Sequence, residues 1–167
     1  MKKYISKISI GALALVVLFA FTIYPEKTDF SGTWQLNESK SDLGQFASFA
    51  TRTIKADQKA DAIAISRTAP SFDGGENTAT ETLTFDGKEA ESTLFGSSKK
   101  VATIKWADDG KSFTINFKLH LDFNGQTNEV TGTEVWKLSD DGKMLTTENN
   151  SSSSFGDLAT KAVYEKK

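Results

Sequence analysis

Apolar and polar side chains alternate along the chain after residue 29, most strictly near its middle. In residues 112–123 every second side chain is apolar, from Phe113 to Phe123, and those between are polar. A period of two residues is typical of a β-strand with one buried and one wet face. At roughly 3.3 Å per residue this strand is about 40 Å long. Long one-sided strands favour a closed barrel over a sandwich, because closure leaves no exposed edge.

Ten segments with this kind of pattern follow one another to the C-terminal end. They predict strands over residues 30–36, 50–56, 62–68, 78–85, 88–93, 100–107, 112–123, 127–138, 144–150 and 158–166. Asp-Gly or Asn-Gly pairs separate several of them, at residues 86–87, 109–110, 124–125 and 141–142. These pairs suit the positive φ angles of tight hairpins, so consecutive strands should pair as neighbours.

Two segments do not fit the strand pattern. Residues 38–49 are mostly polar and predict one short helix or a loop that caps an end of the barrel. Residues 151–154 are four consecutive serines, which predict a hairpin loop. The whole pattern predicts an all-β fold, a single antiparallel up-and-down barrel of about 8–10 strands with a short helix or capping loop after the first strand.

The N-terminal residues have the pattern of an export signal. Lys2, Lys3 and Lys7 precede an almost unbroken apolar run over residues 8–24, as in a secretory signal peptide. If the segment is not cleaved, it would stay as a membrane anchor with the domain outside. We therefore expect residues 1–27 to be a signal peptide or N-terminal anchor with a linker. Residues 28–167 would form the barrel, exported to the periplasm, attached to the cell envelope or secreted.

Composition excludes several classes of protein. Residues 28–167 hold 16 basic and 21 acidic side chains, without the basic stripe that nucleic-acid binding requires. The chain has no cysteine and a single histidine, His120, so neither a disulfide framework nor a His-based metal site is expected. No nucleophile or acid stands beside a suitable partner. We expect a monomer that is not an enzyme and has no cofactor or metal.

Strand alternation places four charged residues on the apolar face. Arg52 lies two residues before Ile54, and Arg67 lies two residues after Ile65, so each arginine should face the same side of its strand as the isoleucine. Glu81 and Glu134 share the parity of the apolar residues that follow them in their strands. A buried charge is costly unless it is paired or hydrated. One hypothesis is that these groups orient the polar head of a ligand in the lumen, since Arg can hold a carboxylate bidentately. The other is that they lie at strand ends or form ion pairs inside a filled core.

Inward aromatic side chains are the second group of candidates. The residues proposed as walls of a ligand-binding lumen are Phe113, Phe117, Trp136 and Tyr164. Phe46 and Phe49 lie beside the predicted barrel mouth and are candidates for a ligand portal. The alternative for each of these aromatic residues is that it fills a solid core.

The opening of the domain carries a short motif. Residues 30–36, Phe-Ser-Gly-Thr-Trp-Gln-Leu, contain a Gly-x-Trp at Gly32 and Trp34. This opening resembles that of the calycin superfamily, which includes lipocalins and fatty-acid-binding proteins, and residues 32–44 look like exported bacterial lipocalin-like proteins. The resemblance implies a barrel that Trp34 closes at one end.

Two features of these families are missing from the chain. Lipocalins usually carry an arginine near the chain end that stacks on the motif tryptophan, whereas this chain offers only Lys161, Lys166 and Lys167. Fatty-acid-binding proteins carry an Arg-x-Tyr on the final strand, and the matching positions here are Ala162 and Tyr164. The resemblance therefore does not carry over the familiar carboxylate site.

Two functions fit these observations. We expect an exported lipocalin-like protein that binds a small hydrophobic or amphipathic molecule in the barrel lumen and meets the membrane only through its N-terminal segment, if that is uncleaved. The alternative is a non-catalytic cell-envelope protein with a filled barrel that binds a partner through its surface or loops. A cavity of several hundred cubic ångströms would favour the first.

Overall fold

The computed structural model describes residues 26–71, 74–94, 98–123 and 126–167. Within these residues the chain forms two short 3-10 helices, Glu38–Lys40 and Gly44–Phe49, and we call the second the capping helix. The strands are β1 (Gly32–Leu36), β2 (Thr53–Gln58), β3 (Ala62–Pro70), β4 (Glu76–Thr84), β5 (Ala90–Thr93), β6 (Lys99–Trp106), β7 (Ser112–Phe123), β8 (Gln126–Leu138), β9 (Met144–Ser153) and β10 (Gly156–Lys166). No helix in these ranges is long and apolar enough to cross a membrane.

All strands join one antiparallel sheet in the order β4-β3-β2-β1-β10-β9-β8-β7-β6-β5. Every neighbour in this order except the β1–β10 pair is consecutive in the chain, so the topology is up-and-down. The sheet curls into a nearly closed barrel, with β4 and β5 at its two ends. Across that gap the side-chain amide of Asn77 donates to the carbonyl of Leu94 at 3.2 Å. The prediction of a single antiparallel up-and-down barrel is confirmed.

The turns and strand bounds in the structure largely agree with those predicted from the sequence, with two corrections. Gly87, Gly110 and Gly142 have φ angles of 77°, 68° and 66°, as Asp-Gly hairpins require. The serine tract was expected to be a loop, but β9 continues to Ser153 because its backbone pairs with both β8 and β10. The first strand begins at residue 32 rather than 30. The turn predicted at residues 124–125 and the leader through residue 25 lie outside the described residues.

A cluster of aromatic side chains closes the lower end of the barrel, and we call it the aromatic plug. Its members are Phe30, Trp34, Trp106, Phe113 and Trp136. Phe30, which precedes β1, packs edge-on against Phe113 with ring centroids 4.7 Å apart, and Phe113 stacks on Trp136 at 5.2 Å. Trp34 is fully buried and its Nε1 donates to the Phe30 carbonyl at 3.0 Å. The plug leaves the opposite end, the mouth, as the end at which a ligand could enter.

The side chain of Lys166, the last residue of β10, completes the lower end. Lys166 Nζ lies 5.1 Å from the centroid of the Trp34 ring, a cation–π contact. Gly32 makes room for it, since a Cβ on Gly32 would lie 2.9 Å from Lys166 Cε, and its φ of 144° suits glycine. Of the three lysines available near the chain end, Lys166 is therefore the one that lies over the motif tryptophan.

Candidate functional site

Four charged side chains meet halfway up the interior of the barrel, and we call this group the charge layer. Arg67 pairs with Glu81 through Nη1 and with Glu134 through Nη2, the latter at 2.9 Å. Lys100 Nζ lies 2.8 Å from both carboxylate oxygens of Glu81. It hydrogen-bonds Oε1, while its contact with Oε2 is ionic without hydrogen-bond geometry. Side-chain exposure ranges from 6% for Glu81 to 19% for Arg67.

The strand register explains why these residues meet. Arg67 on β3 and Glu81 on β4 share the inward face, because Arg67 pairs with Ala79 and Glu81 with Ile65. Glu134 on β8 faces inward opposite Ile115. Lys100 on β6 reaches Glu81 on β4 and so bridges the gap in the ladder. Two cations and two carboxylates make the charge layer neutral overall, which is how a barrel can keep charges in its interior.

Burial and neighbouring charges have opposing effects on the pKa values of side chains in the charge layer. Burial raises the pKa of Glu81, but the charges of Arg67 and Lys100 outweigh it and lower that pKa below its usual 4.5. Burial lowers the pKa of Lys100, and the charge of Arg67 lowers it further, with Glu81 only partly offsetting them. For Arg67, burial is outweighed by Glu134 and Glu81, which raise its pKa. The carboxylate of Glu81 is thus held ionised by its partners.

The charge layer rests on the aromatic plug. Trp136 Nε1 donates to Glu134 Oε1, and the Arg67 guanidinium lies 5.6 Å from the Trp136 ring centroid. Burial and the charge of Glu134 raise the pKa of Tyr164, which lies on β10 of the same interior. On the upper side Lys100 Nζ lies 5.5 Å from the Phe117 ring. The ring of Phe117 therefore separates the charges from the space above.

Two adjoining cavities occupy the barrel above the charge layer. The mouth cavity has a volume of about 760 Å³, and a deeper one of about 350 Å³, the inner cavity, shares several of its walls. The residues that line both cavities are Phe49, Leu121, Val130, Ser151 and Leu158. The inner cavity reaches down to Phe117 and Leu119 on β7 and to Asn149 and Thr160 on β9 and β10. The interior thus holds an open upper part above a filled lower part.

The two walls of these cavities differ in chemistry. On β7 and β8 the described lining is apolar, with Leu119 paired to Val130 across the ladder. On β9 and β10 it includes Asn149 and Ser151, paired with Thr160 and Leu158 respectively. The site can therefore cover an apolar surface on one side and offer hydrogen bonds on the other.

The structure divides the site residues predicted from the sequence among different regions. Phe117 and Phe49 line the cavities. Those placed in the charge layer or the packed core below the cavities are Arg67, Glu81, Glu134, Phe113, Trp136 and Tyr164. Arg52 lies just before β2 and pairs with Glu38, and its Nη2 donates to the Ala47 carbonyl at 3.4 Å, which ties it to the capping helix. Phe46 belongs to the capping helix. Gly32 and Trp34 lie at the lower end.

Sequence reasoning missed two parts of the site. Lys100 has the parity of Ala102 and Ile104, so the alternation that found the other buried charges also marks it as inward. Asn149 and Ser151 also have inward parity, in register with Thr160 and Leu158. Ser151 lies in the serine tract that predicts a loop, whereas Asn149 lies in the predicted strand over residues 144–150 and was not considered as a lumen residue. Among the described residues no group of His, Cys, Asp and Glu could hold a metal ion.

The chain matches no protein-family model and no curated protein. The fold is therefore assigned from the structure alone. An all-antiparallel, ten-stranded, nearly closed barrel is compatible with a calycin-like fold.

Stability is expected to fall in acid as Glu81 becomes protonated. Its pKa in the folded barrel is lower than the ordinary 4.5, so its contribution is complete above about pH 4.5 and is lost as the pH falls from there through the folded-state pKa. Each unit between the two pKa values corresponds to about 1.4 kcal/mol. Urea unfolding at pH 7 and at a series of lower pH values measures the loss.

Glu81→Gln should flatten this pH dependence because it removes the titrating group. Glu165→Gln is the matched control, since Glu165 is an exposed carboxyl whose pKa is lowered by Asn37 and Lys40. Exposed pairs contribute little to stability, so this variant should keep most of the dependence. An equally steep acid loss in Glu81→Gln would place the sensitivity elsewhere.

Proposed function

We propose that this protein binds a small hydrophobic or amphipathic molecule in the cavities above the charge layer and acts as a carrier or receptor without catalysis. The observation that carries this proposal is the mouth cavity of about 760 Å³. Small-molecule sites span roughly 300–1,000 Å³ and are mostly apolar with a few polar groups. The inner cavity extends this space towards Phe117, so that an elongated ligand has room to enter the barrel.

The rim of the mouth supports a route of entry. Phe155, at the β9–β10 turn, is 82% exposed, and Phe49 in the capping helix is 45% exposed. Both line the mouth cavity. Large apolar side chains held in water next to an apolar cavity favour contact with an apolar ligand during entry. Phe49 therefore keeps its proposed role in a portal, and Phe155 joins it.

The proposal includes an exported, lipocalin-like protein. Export is supported by Lys2, Lys3 and Lys7 ahead of the apolar run over residues 8–24. The lipocalin-like relationship is supported by the Gly-x-Trp opening and by Lys166, which lies over Trp34 as a cation near the chain end. On this proposal the barrel meets its ligand outside the cytoplasm.

Val130→Trp is expected to weaken ligand binding by about tenfold or more, which corresponds to about 1.4 kcal/mol. Val130 lines both cavities, so an indole there would occupy the space of the ligand. Thr131→Trp is the control because Thr131 is the exposed neighbour on the outer face of β8. The measurement is a fluorescence titration of the full-length chain with the neutral apolar dye Nile red, with urea unfolding to verify that both variants fold.

The alternative function, a filled barrel that binds a partner through its surface or loops, predicts that no small molecule binds in the lumen. The aromatic plug and the charge layer fill the lower part of the barrel, as a protein that binds through its surface would allow. If Nile red does not bind, or if Val130→Trp binds it as tightly as the unchanged chain, the lumen is not the site. Native mass spectrometry of protein purified from its own host, which detects a co-purifying small molecule, is an independent test.

A further inference from the structure

We infer that the ligand is an uncharged amphiphile, whose hydroxyl, amide or ester group hydrogen-bonds to Asn149 and Ser151 while its apolar part packs against β7 and β8. This inference rests on the proposed function, since it names the class of molecule that the same cavities accept. It also excludes a class that a barrel of this size could otherwise hold, the free carboxylic acids. Three features of the interior carry the argument.

The first feature is that the cations of the interior are already neutralised. Arg67 is held by two carboxylates and Lys100 by one, and Arg52 pairs with Glu38 at the capping helix. No Lys, Arg or His belongs to the described lining of either cavity. The one charged residue in that lining is Asp157, at the mouth. A carboxylate ligand would lose its hydration without gaining a counter-ion, and it would pass a like charge on entry.

The second feature is unused hydrogen-bonding capacity on one wall. Asn149, Ser151 and Thr160 line the inner cavity. In the described part of the chain their side chains have no hydrogen-bond partner, whereas each side chain of the charge layer is already held in an ion pair. An amide side chain both donates and accepts, and a hydroxyl does the same. These groups suit a neutral polar function on the ligand, whichever way its donors and acceptors point.

The third feature is the close approach of the polar and apolar walls at Gly132. A Cβ there would lie 2.7 Å from Phe117 Cζ, 2.8 Å from Ser151 Cβ and 2.5 Å from the Asn150 carbonyl oxygen. Because Gly132 has no Cβ, the tip of the Phe117 ring and Ser151 Cβ both reach the space beside this residue. An apolar surface and a hydroxyl group therefore meet along one seam of the inner cavity. Such a seam matches a molecule that has one polar group on an otherwise apolar body.

The experiment compares three ligands with the same tail and different heads. Hexadecanol, hexadecanoate and hexadecylammonium compete with Nile red for the full-length chain at pH 8, each at concentrations at which it is dissolved as single molecules. The alcohol is expected to displace the dye at a concentration at least about tenfold lower than the carboxylate. A carboxylate that competes as well as the alcohol, or better, overturns the inference. Preference for the ammonium overturns it too and points to Asp157 as the recognition group.

Variants then locate the polar contact. The double substitution Asn149→Leu with Ser151→Ala should remove most of the advantage of hexadecanol over hexadecanoate while Nile red still binds. Asn150→Leu is the control, because Asn150 is the exposed neighbour on the outer face of β9, and it should keep the advantage. An unchanged preference in the double variant would overturn the assignment to this wall. Absence of Nile red binding to the unchanged chain would instead refute the proposed function itself.

Discussion

Glu81→Gln is expected to lower the free energy of unfolding by about 3–5 kcal/mol, the range for removing one partner of a buried ion pair. Lys100 has Glu81 as its ionic partner, and its side chain is 7% exposed. Without the carboxylate, Glu134 is the remaining anion for two cations of the charge layer, and Lys100 loses its ion-pair partner. The loss arises from the unpaired charge more than from the missing hydrogen bond.

Urea unfolding at pH 7 measures this loss, and a second substitution tests its cause. Glu81→Gln combined with Lys100→Met leaves the neutral pair of Arg67 and Glu134, so most of the stability should return. Glu129→Gln is the control, since Glu129 pairs with Lys118 at 3.4 Å on the exposed surface and should cost at most about 1 kcal/mol. If the double variant is no more stable than Glu81→Gln alone, unpaired charge is not the cause.

The charge layer shows how far strand alternation carries a prediction from sequence. Arg67, Glu81 and Glu134 have inward parity in the sequence, and the register places all three in the interior. The inward orientation predicted from alternation is correct here because no bulge interrupts the pairing of these strands. It does not reveal the partners, since Arg67 and Glu134 are 67 residues apart and meet only when the barrel curls. Whether an inward charge faces a ligand or another charge depends on that closure.

The alternation of apolar and polar residues does not predict which part of the interior is filled and which part is open. Along β7 the inward side chains run Phe113, Ile115, Phe117, Leu119 and Leu121 from the lower end to the mouth, all equally apolar in the sequence. Phe113 is packed in the plug, because Phe30 and Trp136 face it. Leu119 and Leu121 border open space instead. The difference at the lower end comes from the aromatic rings of Phe30 and Trp136, which fill the space beside Phe113.

Composition conceals one part of the polar wall, because Ser151 lies in a serine tract that predicts a loop while Asn149 lies in the predicted strand over residues 144–150. Asn149 and Ser151 stand in a run of Asn and Ser, which ordinarily favours loops over strands because such side chains compete for the backbone. Here β9 lies between β8 and β10 and pairs with both, so its backbone is satisfied whatever its side chains. A strand with two partners tolerates low β-propensity, and its inward polar residues become available to the lumen.

Trp136→Ala is expected to lower the free energy of unfolding by about 3–5 kcal/mol for the lost indole. The ring is fully buried and stacks on Phe113 at 5.2 Å. Its Nε1 also donates to Glu134, so the substitution leaves that carboxylate with Arg67 alone. Trp136 is therefore the side chain that joins the aromatic plug to the charge layer, and its loss weakens both.

Trp136→Phe separates these two contributions. It keeps a stacked ring but removes the N–H donor, while Arg67 still donates to the same oxygen of Glu134. A smaller loss of about 1.5–3 kcal/mol is therefore expected, the range for one hydrogen bond to a charged group. Nile red affinity of Trp136→Phe should be unchanged, because Trp136 lies below the charge layer and lines neither cavity. Weaker dye binding by a fully folded Trp136→Phe chain would mean that the charge layer shifts when it loses this donor. The lower part of the barrel would then set the shape of the cavity as well as the stability of the fold.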